Sequence, residues 1–426
     1  MDELNLLIAV IGAIILLLGL VSDYFRRNWW TSDPLAALGM GIILGPAVLG
    51  WINPTAWGLP QEQLLEQAAR FTMAIGLMGV ALRLPQQYFF RHWKSLAILL
   101  GFVMPIMWLT SGLLVYWMLD LPFWEAMLVG AAITPTDPIV SNSIVTGGVA
   151  EENLPKRIRH IISAESGAND GLAYPFVILC VLILEKTTSE NQPLTAGNLF
   201  PYWLTQVVLW EVGGAVLFGI VGGYLAGRLL KWAERQKTIE NSSFLTYSLA
   251  LSLVVLGTAK LMGTDDILAV FIAGLAFGDV VGGPQRAEED NVQEAINRFF
   301  TLPIFIMLGV MLPWQQWASI GWGNLGGLAI LVLLFRRMPA ILLLSRWIKP
   351  IHNRAETYFV GWFGPVGVAA LFYAGFCLRR TEVEAVWLVC AFMICASIIV
   401  QGLSVTPLTK KYGQRHPQAR SPQGSN

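Results

Sequence analysis

The sequence runs to 426 residues, of which 55% are hydrophobic and only 13% charged, against about 25% charged in an ordinary soluble domain. Its formal net charge is zero, so nothing in it points to nucleic acid, which draws on a basic excess. Cys180, Cys377, Cys390 and Cys395 all fall in apolar runs, where they read as small core residues and not as disulfides or metal ligands.

Residues 95–119, 301–335 and 385–409 contain no Asp, Glu, Lys or Arg. Roughly 20 apolar residues cross the hydrocarbon core, so the chain is expected to be an all-α polytopic membrane protein. The first run, 4–22, lacks a small-residue cleavage site before a soluble domain and reads as a retained helix, not a signal peptide. Further spans are predicted at 34–52, 66–84, 95–119, 123–147, 158–184, 201–230, 242–261, 267–282, 299–312, 323–344, 357–376 and 385–408. At that length per span the total is about thirteen. Residues 1–410 form one transmembrane domain, and 411–426 a short, polar, disordered tail.

Orientation follows from the basic residues. With the N-terminus outside, the inner loops hold Arg26/Arg27, Arg83/Arg91/Lys94, Lys156/Arg157/Arg159, Arg228/Lys231/Arg235/Lys237, Arg286/Arg298, Arg346/Lys349/Arg354 and Lys410/Lys411/Arg415/Arg420. The outer loops hold only Arg70, Lys186, Lys260, Arg379 and Arg380. The positive-inside rule then predicts N-out and C-in. Tryptophans gather near span ends (Trp29/Trp30, Trp51/Trp57, Trp203/Trp210, Trp314/Trp317/Trp322), as interfacial anchors do.

An odd span count fits two inverted six-span repeats joined by a linking span, 201–230. Core spans would then lie at 95–184 and 323–408, and interface or dimerisation spans at 4–84 and 242–312. The fifth and twelfth spans become counterparts, and both are interrupted, by Thr134-Pro135-Thr136-Asp137-Pro138 and by Gly364-Pro365-Val366-Gly367. Paired interruptions of this kind point to a transporter's binding site.

Carboxylates inside spans are costly and persist where they pair, line a cavity or bind an ion. Asp137 sits at a proline break, where freed carbonyls can coordinate a cation; the plainer reading is that it neutralises a half-helix N-terminus. In the sixth span Glu165 and Asn169 share a face, and Ser166 lies one turn before Asp170. A hard monovalent cation wants oxygen ligands, which Asp137, Asp170, Ser166, a Thr136 carbonyl and water could supply, with Asn169 beside them. A polar helix-packing patch is the alternative. Arg336 and Arg337 lie far inside the eleventh span. A buried arginine usually finds a carboxylate, and Glu165 is the natural partner, with Arg337 expected to be the buried one. The competing reading has these arginines snorkel to an interface.

Other polar residues are expected to be peripheral: Glu125 and Glu211 near span ends, Asp265, Asp266 and Asp279 as boundary charges, and His92 and His160 in solvated inner loops. No histidine or cysteine cluster has metal-ligand spacing, and no cofactor is expected.

Thr136-Asp137-Pro138 followed by Glu165-Ser166-x-x-Asn169-Asp170 resembles the monovalent cation/proton antiporters of the NhaP type. The run Leu268-Ala269-Val270-Phe271-Ile272-Ala273-Gly274-Leu275 and the arginine-bearing eleventh span match as well. The resemblance implies a thirteen-span inverted-repeat fold and a homodimer in the plasma or inner membrane. It implies exchange of sodium, or lithium or potassium, for protons at Asp170 and Asp137, and a structural Glu165–Arg337 salt bridge. Two departures stand out: Val366 where many relatives carry arginine, and no glutamate in Met78-Gly79-Val80-Ala81-Leu82-Arg83. Because Asn169 is an amide where some relatives have a second aspartate, exchange is expected to be electroneutral. The rivals are an intramembrane aspartyl protease, whose Tyr-Asp and Gly-x-Gly-Asp motifs are missing here, and a passive channel.

Overall fold

The computed structural model describes residues 32–54, 60–138, 145–188, 196–236, 243–282 and 286–416, with 5, 9–17, 19 and 20 of the first run. Arg26, Arg27, Trp29, Trp30, Trp57, Lys237 and the tail beyond His416 lie outside the described residues, as do the side chains of Lys186 and Arg286. Every regular element among the described residues is a helix.

In chain order, α1 (Asp33–Leu44) and α2 (Gln61–Arg83) are followed by α3 (Tyr88–Leu119) and α4 (Phe123–Ala132). After the short α5 (Gly148–Asn153), α6 (Lys156–Leu172) and α7 (Tyr174–Thr188) form one rod across Ala173. The long α8 (Gly197–Arg235) leads to α9 (Phe244–Leu261), α10 (Asp266–Val281) and α11 (Arg286–Val310). Beyond them come α12 (Trp314–Ile320), α13 (Trp322–Phe335), α14 (Met338–Leu344), α15 (Arg354–Trp362), α16 (Val368–Thr381) and α17 (Glu384–Arg415).

Among the described residues six helices are long and apolar enough to cross a membrane, or seven if α11 and α12, bent by 61°, count as one span. Apart from 4–22, much of which lies outside the described residues, the other predicted spans are broken, shorter or more polar. The fifth and twelfth are split, and α2 opens with Gln61-Glu62-Gln63. The chain is a polytopic membrane protein.

Packing sorts the helices into a buried centre and an apolar rim. From Val368 to Cys377, α16 is buried on every side, whereas α8 and α9 expose Leu209, Trp210, Leu217 and Val254. A helix apolar all round, with its outer face exposed, belongs in lipid. Small residues set the closest crossings: a Cβ on Gly223 of α8 would meet the Ala273 carbonyl at 2.2 Å, and one on Gly130 of α4 would meet Gly112 at 2.5 Å. Such stripes let membrane helices approach backbone to backbone.

Several residues expected at boundaries prove to be structural. Asp265 caps α10 by accepting from the Ile267 and Leu268 amides, each at 3.1 Å, and Asp266 takes the Arg70 guanidinium at 2.5 Å. Asp279 accepts from the Gln87 amide at 2.7 Å. His92 and His160, read as loop residues, lie on α3 and α6, where both rings pack on Tyr88. Helix starts at Tyr88 and Lys156 earlier than the hydropathy pattern suggests.

Candidate functional site

The site forms where two broken helices meet. Pro135 and Pro138 supply no backbone donor and disfavour helix in the residues before them, so α4 stops at Ala132. Thr134 turns its hydroxyl back to the Gly130 carbonyl at 2.7 Å, satisfying one end carbonyl. The second break lies between Trp362 and Val368, where α15 ends and α16 begins. The Asp137 amide donates to the Pro365 carbonyl at 2.9 Å, so the two unwound stretches touch directly. Glycine is needed on the second: a Cβ at Gly367 would stand 2.1 Å from Asp137 Oδ2, and one at Gly364 2.6 Å from Arg337 Cδ.

Breaking two helices leaves partial charges at their ends, and side chains answer them. The Asp137 carboxylate accepts from the Val368 amide, the first of α16. Arg336 donates to the carbonyls of Ile133, the C-cap of α4, and of Gly364, two residues past the end of α15. An anion at an N-terminus and a cation at C-termini is the arrangement the helix dipole favours. The hydroxyl of Ser397 accepts from the Val366 amide at 2.9 Å, and Gln401 donates to the Trp362 carbonyl at 2.6 Å.

The third wall is α6. Asn169 accepts from the Thr136 amide at 3.0 Å and donates to Thr136 Oγ1 at 2.7 Å and Glu165 Oε1 at 3.1 Å. The hydroxyls of Thr136 and Ser166 lie 3.0 Å apart. Glu165 receives a two-pronged bond from Arg337 at 2.7 and 2.8 Å, and Arg337 Nε donates to the Val360 carbonyl at 3.0 Å.

Asp170 differs from all of these. Its backbone carbonyl accepts from the Tyr373 hydroxyl at 2.6 Å, but carboxylate Oδ1 is buried with no hydrogen-bond partner among the described residues. Asp137 and Glu165 are both within electrostatic reach of it. A buried acceptor left bare is costly, and a proton, a cation or a water can satisfy it.

Asp137, Asp170, Thr136, Ser166, Asn169, Glu165 and Arg337 thus all come together, each at most 3% exposed. Both arginines are buried, so neither snorkels. Sequence reasoning missed Arg336 as a ligand of carbonyls, together with Ser397, Gln401 and Tyr373. Ser397 and Gln401 did carry a signal, being polar residues four apart in a span without charge.

Comparison with known proteins gives a consistent picture. Residues 6–411 match the family model described as "Sodium/hydrogen exchanger, transmembrane". The chain is 32% identical, over 94% of its length, to a Na(+)/H(+) antiporter of Saccharomyces cerevisiae, and covers 43% of that protein. A Na(+)/H(+) antiporter of Schizosaccharomyces pombe is 30% identical, with 95% of this chain and 90% of that protein aligned. The K(+)/H(+) antiporter NhaP2 of Shewanella oneidensis is 26% identical over 79% of this chain and 56% of its own. The chain spans about half the length of several of the curated relatives it matches. Its fold is similar to that of the sodium proton antiporter MjNhaP1 from Methanocaldococcus jannaschii at pH 8. That match has a TM-score of 0.72 at 19% identity and covers 96% of this chain and 97% of the other.

Proposed function

The chain belongs to the sodium/hydrogen exchanger family, and on that premise we propose that it is a secondary antiporter exchanging a monovalent cation, sodium first, for protons. The observation that carries this reading is the bare, buried Oδ1 of Asp170 on α6, the helix whose Ser166 hydroxyl, one turn earlier, meets that of Thr136. Proton and cation compete for that oxygen, and each half of the cycle returns the site with one of them bound. A hard cation completes its shell from Asp170, Ser166, Thr136, Asp137 and water, with Asn169 holding the Thr136 strand in place. Because Asn169 does not titrate, the exchange is one for one and electroneutral. Asp137 keeps its bond to the Val368 amide in both states. That commitment also speaks against a protease, whose two carboxylates must share a proton.

The wider frame belongs to the same proposal. About thirteen spans, in two inverted repeats, divide into core spans 95–184 and 323–408 and interface spans 4–84 and 242–312, joined by 201–230. The interface spans make a homodimer in the lipid of the plasma or inner membrane, with the N-terminus outside and the C-terminus in the cytoplasm. Potassium is the second reading, favoured by the similarity to a K(+)/H(+) antiporter. Cation-dependent proton efflux from proteoliposomes, scanned over lithium, sodium and potassium, tests both. Efflux with none of the three would end the exchange reading, and efflux with potassium alone would replace sodium.

A further inference from the structure

We propose that Arg336 is a positioning residue that fastens the two helix breaks to each other, so that the crossing moves as one body during exchange. Its guanidinium is 3% exposed and bonds two carbonyl oxygens, Ile133 on the first break and Gly364 on the second. Those residues are 203 and 28 positions away in the chain. Arg337, its immediate neighbour, spends its fork on the Glu165 carboxylate. The backbone explains how adjacent side chains divide this way. α13 ends at Phe335 with residue 336 as its C-cap, residue 337 has φ −116°, and α14 restarts at Met338. The kink turns one arginine toward the crossing and the other toward α6.

Only arginine suits this position. Its planar fork stays protonated and offers separate N–H donors to two acceptors. Ile133 caps the C-terminal end of α4 and Gly364 lies two residues past that of α15, and a cation near a helix C-terminus is favourable. Other direct ties between the breaks among the described residues include the Asp137–Pro365 backbone bond and the Asp137–Val368 bond. Both run through the residues on which the cycle acts. Arg336 holds the crossing from outside the ion's shell, bonding neither Asp170 nor Asp137. It would therefore keep the two breaks in register while the charge on Asp170 changes.

The test uses the full chain with Arg336→Gln and Arg336→Lys. Amide hydrogen exchange, read by mass spectrometry, reports on both breaks without reference to transport. In Arg336→Gln the amides of 133–137 and 363–368 should exchange about tenfold faster together, while α17 and the Glu165 turn of α6 stay protected. Arg336→Lys, which keeps the charge, should show the same paired acceleration to a smaller extent, and it carries the test if the glutamine chain fails to fold. Acceleration at one break alone, at neither, or evenly over the whole chain overturns the proposal. The kinetic arm rests on the exchange reading. There the maximal rate should fall about tenfold, with the sodium KM within about twofold of the parent. A raised KM at unchanged maximal rate would place Arg336 in the ion's shell and overturn the positioning role. If the parent chain itself moves no cation, the exchange reading falls, and the amide arm still decides Arg336.

Discussion

Asp137 and Asp170 are both 1% exposed, yet they face opposite demands. The first is bonded to the Val368 amide, while the second leaves Oδ1 bare. Asp170→Asn should abolish cation-dependent proton flux while the protein still folds, because an amide takes up no proton and offsets no cation charge. Asp137→Asn should also stop exchange, yet melt close to the parent, since its amide oxygen can still accept from Val368. Full-rate exchange in either purified variant would remove that residue from the site. Glu165 and Arg337 are expected to act on stability. Breaking a buried pair strands a charge at a typical cost of about 3–5 kcal/mol, so Glu165→Ala should lower the melting temperature markedly. Normal melting with lost ion affinity would instead make Glu165 a ligand. Charge and motif spacing made this pair legible in the sequence. Arg336 was not legible, because adjacent residues differ by about 100° on a helix and no local pattern says that a kink redirects one of them.

At the level of elements, the crossing depends on how closely α4's break approaches the start of α16. Gly367 has φ −156°, outside the left-handed region, and glycine is required there for space. A Gly367→Ala methyl would fall 2.1 Å from Asp137 Oδ2 and push the carboxylate off the Val368 amide. Overpacking of this kind typically costs about 1–3 kcal/mol. The expected outcome is a lowered melting temperature together with loss of exchange. Parental melting and transport would mean that the two breaks have room to separate. The breaks themselves were visible as Pro135, Pro138 and Pro365, because proline acts on its own backbone neighbours. The distribution of helix was less visible: α6 and α7 run through Ala173 as one rod, whereas α11 and α12 bend by 61°.

For the whole molecule the decisive quantity is how much charge moves per cycle. Asn169 donates to both Thr136 and Glu165 and accepts from the Thr136 amide, so it is tied into the framework as an amide. One titrating carboxylate with one bare oxygen predicts one cation per proton. Exchange in sealed proteoliposomes should then ignore an imposed potassium–valinomycin potential, measured with sodium as substrate. A rate that changes steadily with that potential would mean that a second charge is carried. Asn169→Asp should weaken exchange and not convert it to an electrogenic form, because a carboxylate loses both donated bonds.

The sequence by itself determined that the chain spans a membrane, that two of its spans are interrupted, and that one short motif supplies acidic and hydroxyl groups. Hydropathy, proline chemistry and helical spacing act over a few residues, and a few residues suffice to read them. Only the tertiary structure decided that Asp137 serves the start of α16, that Arg336 joins the two breaks, and that Asp170 is the site carboxylate with a bare oxygen. The Asp137 bond links positions 231 residues apart. Which donor reaches which acceptor over that separation is set by how the whole bundle packs, and no local pattern carries it.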